Sequence, residues 1–373
     1  MKPTNAKEII NSVGIEMEFM SIDRNSEEFR QSIMMKLGDY KIIHDASCES
    51  LEDRFLGKKI VFGNKQSKKI FKQLIDSIII GGEIISPIRN TLSPVWMTEI
   101  ERLCEILKEH GEKEDTTRDS FHVHINLSKE VPLFVLKNIL KLTLKYEAFL
   151  YRLGGMGRMN RGVENDFMFA RPYTPNGPPV ISGADQINYP ILNADVMLQA
   201  ETREDFFGAY GDSYGLMGIK YVTQRYMNVN FYPILTQGSI EFRTANKTLN
   251  PEYIIAWTNF CKALITAAFS NSDINIERTH TLASNREISL AEFQYETSQL
   301  PIDKETMFIL SQIWESSPTP HFDNKWRYSH LKEPTGFRHE VYLPEALDKR
   351  IKVEQANVID IHNLENQREN RNF

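Results

Sequence analysis

Ser239-Ile240-Glu241-Phe242-Arg243 reads as a strand by its alternation: Ile240 and Phe242 fall on one side of an extended backbone, Glu241 and Arg243 on the other. Gly238 opens the run. Beyond it, Asn250-Pro251 starts an apolar-periodic helix through Ile254, Ile255, Trp257, Phe260 and Leu264. One face of the strand therefore packs, and the other presents a carboxylate beside a guanidinium. Any half-buried strand alternates in this way, so the pattern gains meaning only because it recurs.

It recurs twice. In the segment 13–20, Ile15, Met17 and Phe19 oppose Glu16 and Glu18, and same-face neighbours on a strand lie roughly 6.6–7 Å apart. In the segment 121–127, Phe121, Val123, Ile125 and Leu127 oppose His122, His124 and Asn126. A lone histidine is usually structural, but two on one face of an apolar strand suit a metal ligand or a general acid/base. A fourth acidic position, Glu83, follows Gly81-Gly82 and sits among Ile80, Ile84 and Ile85. A carboxylate in that setting needs a partner. The two glycines fit either a close backbone approach or a turn into a strand.

Composition narrows the function classes. The 373 residues are 41% hydrophobic and 25% charged, enough for a sizeable core in one domain or two. A net charge of -6 gives no basic footprint for nucleic acid or anionic membrane. Cys48, Cys104 and Cys261 are far apart and form no Cys-x-x-Cys pair, so neither a disulfide framework nor a thiolate zinc site is expected. The first residues lack the apolar core of a signal peptide, and the run Ile78–Ile80 is far too short to span a bilayer. The expectation is a soluble, cytoplasmic protein.

The remaining chain supplies helices and loops. Periodicity predicts helices over 26–37, 95–110, 132–151, 251–270, 289–298 and 302–315, and strands at 40–44 and 58–62. Residues 45–50 form a polar turn. From 154 to 185 the chain is rich in glycine and proline and reads as a long loop suited to a substrate lid. Arg161 and Arg171 within it suit phosphate contacts, although no Gly-x-x-x-x-Gly-Lys-Ser/Thr loop exists. Residues 186–212 show no readable period. A strand at 220–232, with Arg225 on one face and Tyr226, Asn228 and Asn230 on the other, is expected to turn at Thr236-Gln237-Gly238 into the strand at 239–243 as a hairpin. Arg225 joins the phosphate-binding candidates, and Asn228 and Asn230 are candidate substrate-binding residues. The expected division is a catalytic domain over 12–315, with an insertion at about 154–218, and an extension over 316–373 whose end frays.

If the three alternating strands share a sheet, helices cover its apolar side and the ionisable side lines a cleft. Two carboxylates about 5 Å apart repel by roughly 3 kcal/mol at an effective dielectric near 20. Glu16, Glu18, Glu83 and Glu241 converging there call for cations. Hard oxygen ligands with imidazole nitrogen suit Mg²⁺ or Mn²⁺ better than structural zinc. Such ions beside arginine make a nucleotide-phosphate site.

Glu16-x-Glu18, Gly81-Gly82-Glu83-Ile84-Ile85-Ser86-Pro87, His122-Val123-His124-Ile125 and Ser239-Ile240-Glu241-Phe242-Arg243-Thr244-Ala245-Asn246 occur in the order found in carboxylate–amine ligases of the glutamine synthetase and glutamate–cysteine ligase superfamily. The chain resembles most its amidoligase family of bacteria, plasmids and phages, over roughly residues 12–270. Asp45-Ala46-Ser47 resembles the family's Asp-Gly-Ser, with Ala46 in place of glycine. The resemblance implies an α+β fold: a curved antiparallel sheet with an acidic concave face and helices on its convex face. It implies that Glu16, Glu18, Glu83, His122 or His124, and Glu241 hold two divalent cations. Arg243 would bind the transferring phosphoryl group, with Glu241 and Glu83 also catalytic, and Asp45 and Ser47 would meet the substrate. The implied reaction is ATP- and Mg²⁺-dependent amide or isopeptide formation from a small-molecule or peptide carboxylate and an amine, through an acyl phosphate. The ammonia source, an amidotransferase partner included, and the oligomeric state stay open. A metal-dependent hydrolase built on His122, His124 and Glu83, and an inactive nucleotide-binding relative, are the competing readings.

Overall fold

The first alternating segment is strand β1 (Ser12–Asp23), in a computed structural model that describes residues 10–43, 80–112, 120–154, 173, 194–211, 227–270, 274 and 288–317. Around it lie β2 (Lys41–Ile43), β3 (Ile80–Ile85), β4 (Arg89–Asn90), β5 (Phe121–Asn126), β6 (Val229–Asn230) and β7 (Ser239–Phe242). The strands run β2-β3-β1-β5-β7-β6, with β4 pairing to the start of β1, and every pairing is antiparallel. The three alternating segments are thus direct neighbours in one open sheet of an α+β fold.

Antiparallel register brings like faces together. Ile15 pairs with Val123, Met17 with Phe121, Val123 with Phe242 and Ile125 with Ile240. None of these side chains exposes more than 1% of its surface. Burying each large apolar side chain is worth about 1.5–3 kcal/mol, and a slip of one residue would turn the whole set toward the other face. The cover comes from helices α2 (Pro94–Glu109) and α8 (Pro251–Ser270), whose Ile100, Leu103, Trp257 and Phe260 are buried. Tyr253 of α8 meets Phe121 edge-on at 6.0 Å.

Helix starts follow their caps. Ser26 accepts from Phe29 N–H at α1 (Glu27–Leu37), Ser289 from Glu292 N–H at α9 (Leu290–Thr297), and Asp303 from Thr306 N–H at α10 (Lys304–Ser316). Phe293 of α9 and Trp314 of α10 stack at 4.3 Å, and the Arg152 guanidinium sits 4.0 Å over the Trp314 ring. Lys247 donates to Glu112, whose other oxygen accepts from Ser21 N–H at 2.9 Å, so a buried ion pair ties the segment after β7 to β1.

Several expectations need correction. The helix expected over 132–151 is two, α3 (Leu133–Lys145) and α4 (Glu147–Gly154). Tyr146 between them leaves helical geometry, at φ -104° and ψ 17°, and its hydroxyl donates to Glu296 O. The unreadable stretch 186–212 contains α5 (Ala194–Gln199) and α6 (Arg203–Gly211). The expected hairpin stands as the antiparallel pairing of β6 with β7, but its connection differs. Of the strand over 220–232, the described residues place only Val229–Asn230 in the sheet, and helix α7 (Tyr232–Thr236) replaces the tight turn. Pro233 explains this: it would remove a ladder hydrogen bond from a strand, but sits without loss in the first turn of a helix. The strand at 58–62, the turn at 45–50 and nearly all of the 154–185 loop lie outside the described residues. Among the described residues no helix is long and apolar enough to cross a membrane.

Two glycines are required by close approach. A Cβ on Gly82 would stand 2.7 Å from Ile43 O, so the neighbouring strand β2 is what comes close. At Gly154 a Cβ would meet Thr244 O at 2.5 Å, where Asn246 N–H also donates to Gly154 O at 2.6 Å. Gly154→Ala should therefore lower stability by about 1–3 kcal/mol through overpacking. Gly208→Ala, in α6 with nothing within 4 Å, should be neutral or stabilising by up to about 1 kcal/mol. Urea unfolding of the two variants checks this.

Candidate active site

The register that aligns the apolar faces also aligns the ionisable ones. Glu16 of β1 lies across from His122 of β5, and Glu18 lies across from Glu83 of β3. His124 lies across from Glu241 of β7, which also pairs with Asn230 of β6. Five strands thus contribute to one patch.

Glu16 is its centre. Glu16 Oε2 is 3.3 Å from His122 Nδ1, and Oε1 is 3.1 Å from His124 Nε2. Glu241 Oε1 lies 3.3 Å from His122 Nδ1 and 3.8 Å from His124 Nε2, and accepts from Arg243. Glu83 Oε1 is 4.0 Å from His122 Nδ1. Glu18, Glu83, His122, Glu241 and Arg243 are buried, while the Glu16 side chain is 24% exposed and is the most accessible of the cluster.

Charge compensation shapes the titration of the cluster. Burial pushes the Glu16 carboxyl up, but the His124 charge and the hydrogen bond to His122 outweigh it and hold its pKa well below the usual carboxylate range. Glu241 is also lowered, burial being outweighed by Arg243 and then by His124 and His122. Burial and the Arg243 charge lower His122. For His124, burial is outweighed by Glu16 and Glu241, and its pKa is raised. Burial lowers the Arg243 pKa less than the four carboxylates raise it.

The donor set fits divalent cations. Glu16, Glu83 and His122 each bring one ligand atom within 4.8 Å of the others, and so do Glu16, His124 and Glu241. Glu16 is common to both sets. His124 Nε2 is buried and lies 3.1 Å from Glu16 Oε1 and 3.8 Å from Glu241 Oε1. His122 has its other nitrogen, Nε2, 2.9 Å from Ser120 Oγ, the outer hydrogen bond that orients a metal-binding imidazole. Glu18, expected in the ligand set, falls in neither group; its Oε2 accepts from Ser120 N–H at 2.8 Å.

Of the other expected residues, Asn230 donates to Glu241 Oε2 at 2.6 Å. Asn228 is fully buried and donates to Glu147 Oε1 at 3.3 Å, in a network where Tyr173 N–H also donates to Glu147 at 2.6 Å. Asp45, Ser47, Arg161, Arg171 and Arg225 lie outside the described residues. Sequence reasoning missed Ser120 and Tyr210. Ser120 stands two residues before His122, on the same face, so the spacing that singled out His122 and His124 reaches it. Tyr210 carries no such signal, since its partner Asn230 is 20 residues away on another element.

Residues 2–163 match the family described as "Putative amidoligase enzyme", the family that the motifs resemble. The matched segment is under half of the chain; it contains Glu16, Glu18, Glu83, His122 and His124 and ends before Glu241 and Arg243. No curated protein matches the chain.

The Glu16–His124 pair gives a signed pH prediction for the metal-free protein. Glu16, lowered in the fold, contributes stability above the ordinary Glu pKa of about 4.3, which is lost as pH falls through the depressed value. His124, raised, contributes stability below about 6.5, which is lost as pH rises through the raised value. Both contributions are whole between these values. In chelator, the stability difference between wild type and Glu16→Gln should be larger near about pH 5.5 than near about pH 9. Urea unfolding at the two pH values measures it.

Proposed function

We propose that the chain is an ATP-dependent carboxylate–amine ligase that works through an acyl phosphate. The match to an amidoligase family supports a ligase-type role. The observation that carries the finer reading is the Glu16-centred cluster, where two carboxylate–imidazole sets share one glutamate beside a buried arginine. The sheet and its helices would then correspond to a glutamine synthetase-like catalytic domain.

In this reading Glu16, Glu83 and His122 hold one divalent cation and Glu16, His124 and Glu241 a second. Glu18 acts through Ser120, which carries the hydrogen bond to His122. Mg²⁺ or Mn²⁺ bound there supplies Lewis-acid neutralisation of phosphate oxygens. Arg243 is permanently charged and planar, suited to the equatorial oxygens of the phosphoryl group in flight. The substrate carboxylate attacks the γ-phosphorus of ATP, the bond to the β-γ bridging oxygen breaks, and ADP leaves. The amine nitrogen then attacks the acyl carbon, loses a proton, and inorganic phosphate departs as the amide forms. Arg161, Arg171 and Arg225 are proposed phosphate contacts, and Asp45 and Ser47 proposed substrate contacts. The acid and amine are small molecules or peptides, and the reading requires neither nucleic acid nor membrane.

Glu241→Gln keeps the shape of the side chain and removes its charge. It should cut ADP release in the presence of acid and amine pairs by about 100-fold or more, the scale of losing one electrostatic element of such a site. Far-ultraviolet circular dichroism should be unchanged. Undiminished turnover in the folded variant contradicts the proposal.

A further inference from the structure

Glu241 faces the two histidines with one oxygen only. Oε1 lies 3.3 Å from His122 Nδ1 and 3.8 Å from His124 Nε2, whereas Oε2 accepts a 2.6 Å hydrogen bond from Asn230 Nδ2. The Asn230 amide is held in this sense from behind. Its Oδ1 accepts from the Tyr210 hydroxyl at 3.0 Å and from Tyr232 N–H at 2.9 Å. An inverted amide would set its NH₂ against two donors and its oxygen against a carboxylate. Tyr210 is fixed in turn. Its hydroxyl accepts from Phe231 N–H at 3.1 Å, and its ring packs edge-on against Phe231 at 5.6 Å. Both Asn230 and Tyr210 are buried.

Resting on the metal reading above, we propose that Tyr210 and Asn230 are positioning residues that lock Glu241 in the rotamer presenting Oε1 to the divalent cation. Asn230 then acts on the carboxylate rather than on substrate. The contacts run from Tyr210 of α6 through Asn230 of β6 to Glu241 of β7. A carboxylate held by a neutral amide keeps its charge and gives up rotational freedom before the ion arrives. Such outer hydrogen bonds typically contribute 10–100-fold to metal affinity.

The test is Mn²⁺ binding to the full-length chain, followed by the paramagnetic resonance signal of the free ion, with thermal unfolding in chelator alongside. Asn230→Ala and Tyr210→Phe should weaken Mn²⁺ binding by about 10–100-fold. Phe206→Leu, in the same helix and edge-on to Phe231 at 5.3 Å, should lower the unfolding midpoint yet bind Mn²⁺ as wild type does. This control separates positioning from general loosening of α6. Wild-type affinity in Asn230→Ala and Tyr210→Phe overturns the inference while leaving the metal reading intact. An equal loss in Phe206→Leu overturns it as well. Wild type that takes up no Mn²⁺ overturns the metal reading and this inference together.

Discussion

Carboxylates forced onto neighbouring antiparallel strands repel one another by about 3 kcal/mol for each pair at 5 Å and an effective dielectric near 20. Here Glu16, Glu18, Glu83 and Glu241 are fixed by the register of β1, β3, β5 and β7, and that register is in turn fixed by the apolar residues on the other side of the same strands. The repulsion cannot relax by slipping a strand, because a slip would turn Glu16 and Glu241 into the apolar core and Met17 and Phe242 toward the ionisable face. It must be answered locally. His124 and His122 do so for Glu16, and Arg243, just past β7, does so with them for Glu241, lowering both despite burial. A chain selected for stability alone has no use for such a cluster.

Much of this was legible in the sequence because two-residue alternation maps directly onto the two faces of a strand. The Glu-x-Glu and His-x-His segments fall in β1 and β5, Glu241 falls in β7 with Arg243 just past its end, and Glu83 falls in β3. The helices at 26–37, 251–270 and 302–315 carry strong periods and clear caps, and they stand within a residue or two of expectation. What was not legible depends on contacts between distant segments. The break at Tyr146 coincides with a hydroxyl hydrogen bond to Glu296 O, 150 residues away. The short helix at Tyr232–Thr236 is only five residues long, too short to show a helical period. Helix α6 mixes Phe206, Phe207 and Tyr210 with Gly208 and Gly211, so no face stands out in its sequence.

Within the site, spacing found the ionisable residues but not their division of labour. Glu16 and Glu18 are equivalent by alternation, yet Glu16 meets both histidines while Glu18 turns to Ser120 N–H. His122 and His124 are likewise equivalent by spacing. In the fold His122 is lowered by burial and Arg243, and His124 is raised by Glu16 and Glu241. Asn230 belongs to the same lesson: only the donors on its oxygen show which way its amide faces.

The central claim is that this cluster is a metal–nucleotide site, and thermal unfolding tests it most directly. Wild type would be melted with ATP alone, Mg²⁺ alone and both together. A ligand bound only by the folded state adds about 2.7 kcal/mol at 100 times its dissociation constant, a readily measured rise in midpoint. The account predicts that ATP raises the midpoint only when Mg²⁺ is present. An unchanged midpoint with both ligands, or an equal rise from ATP in chelator, would contradict it.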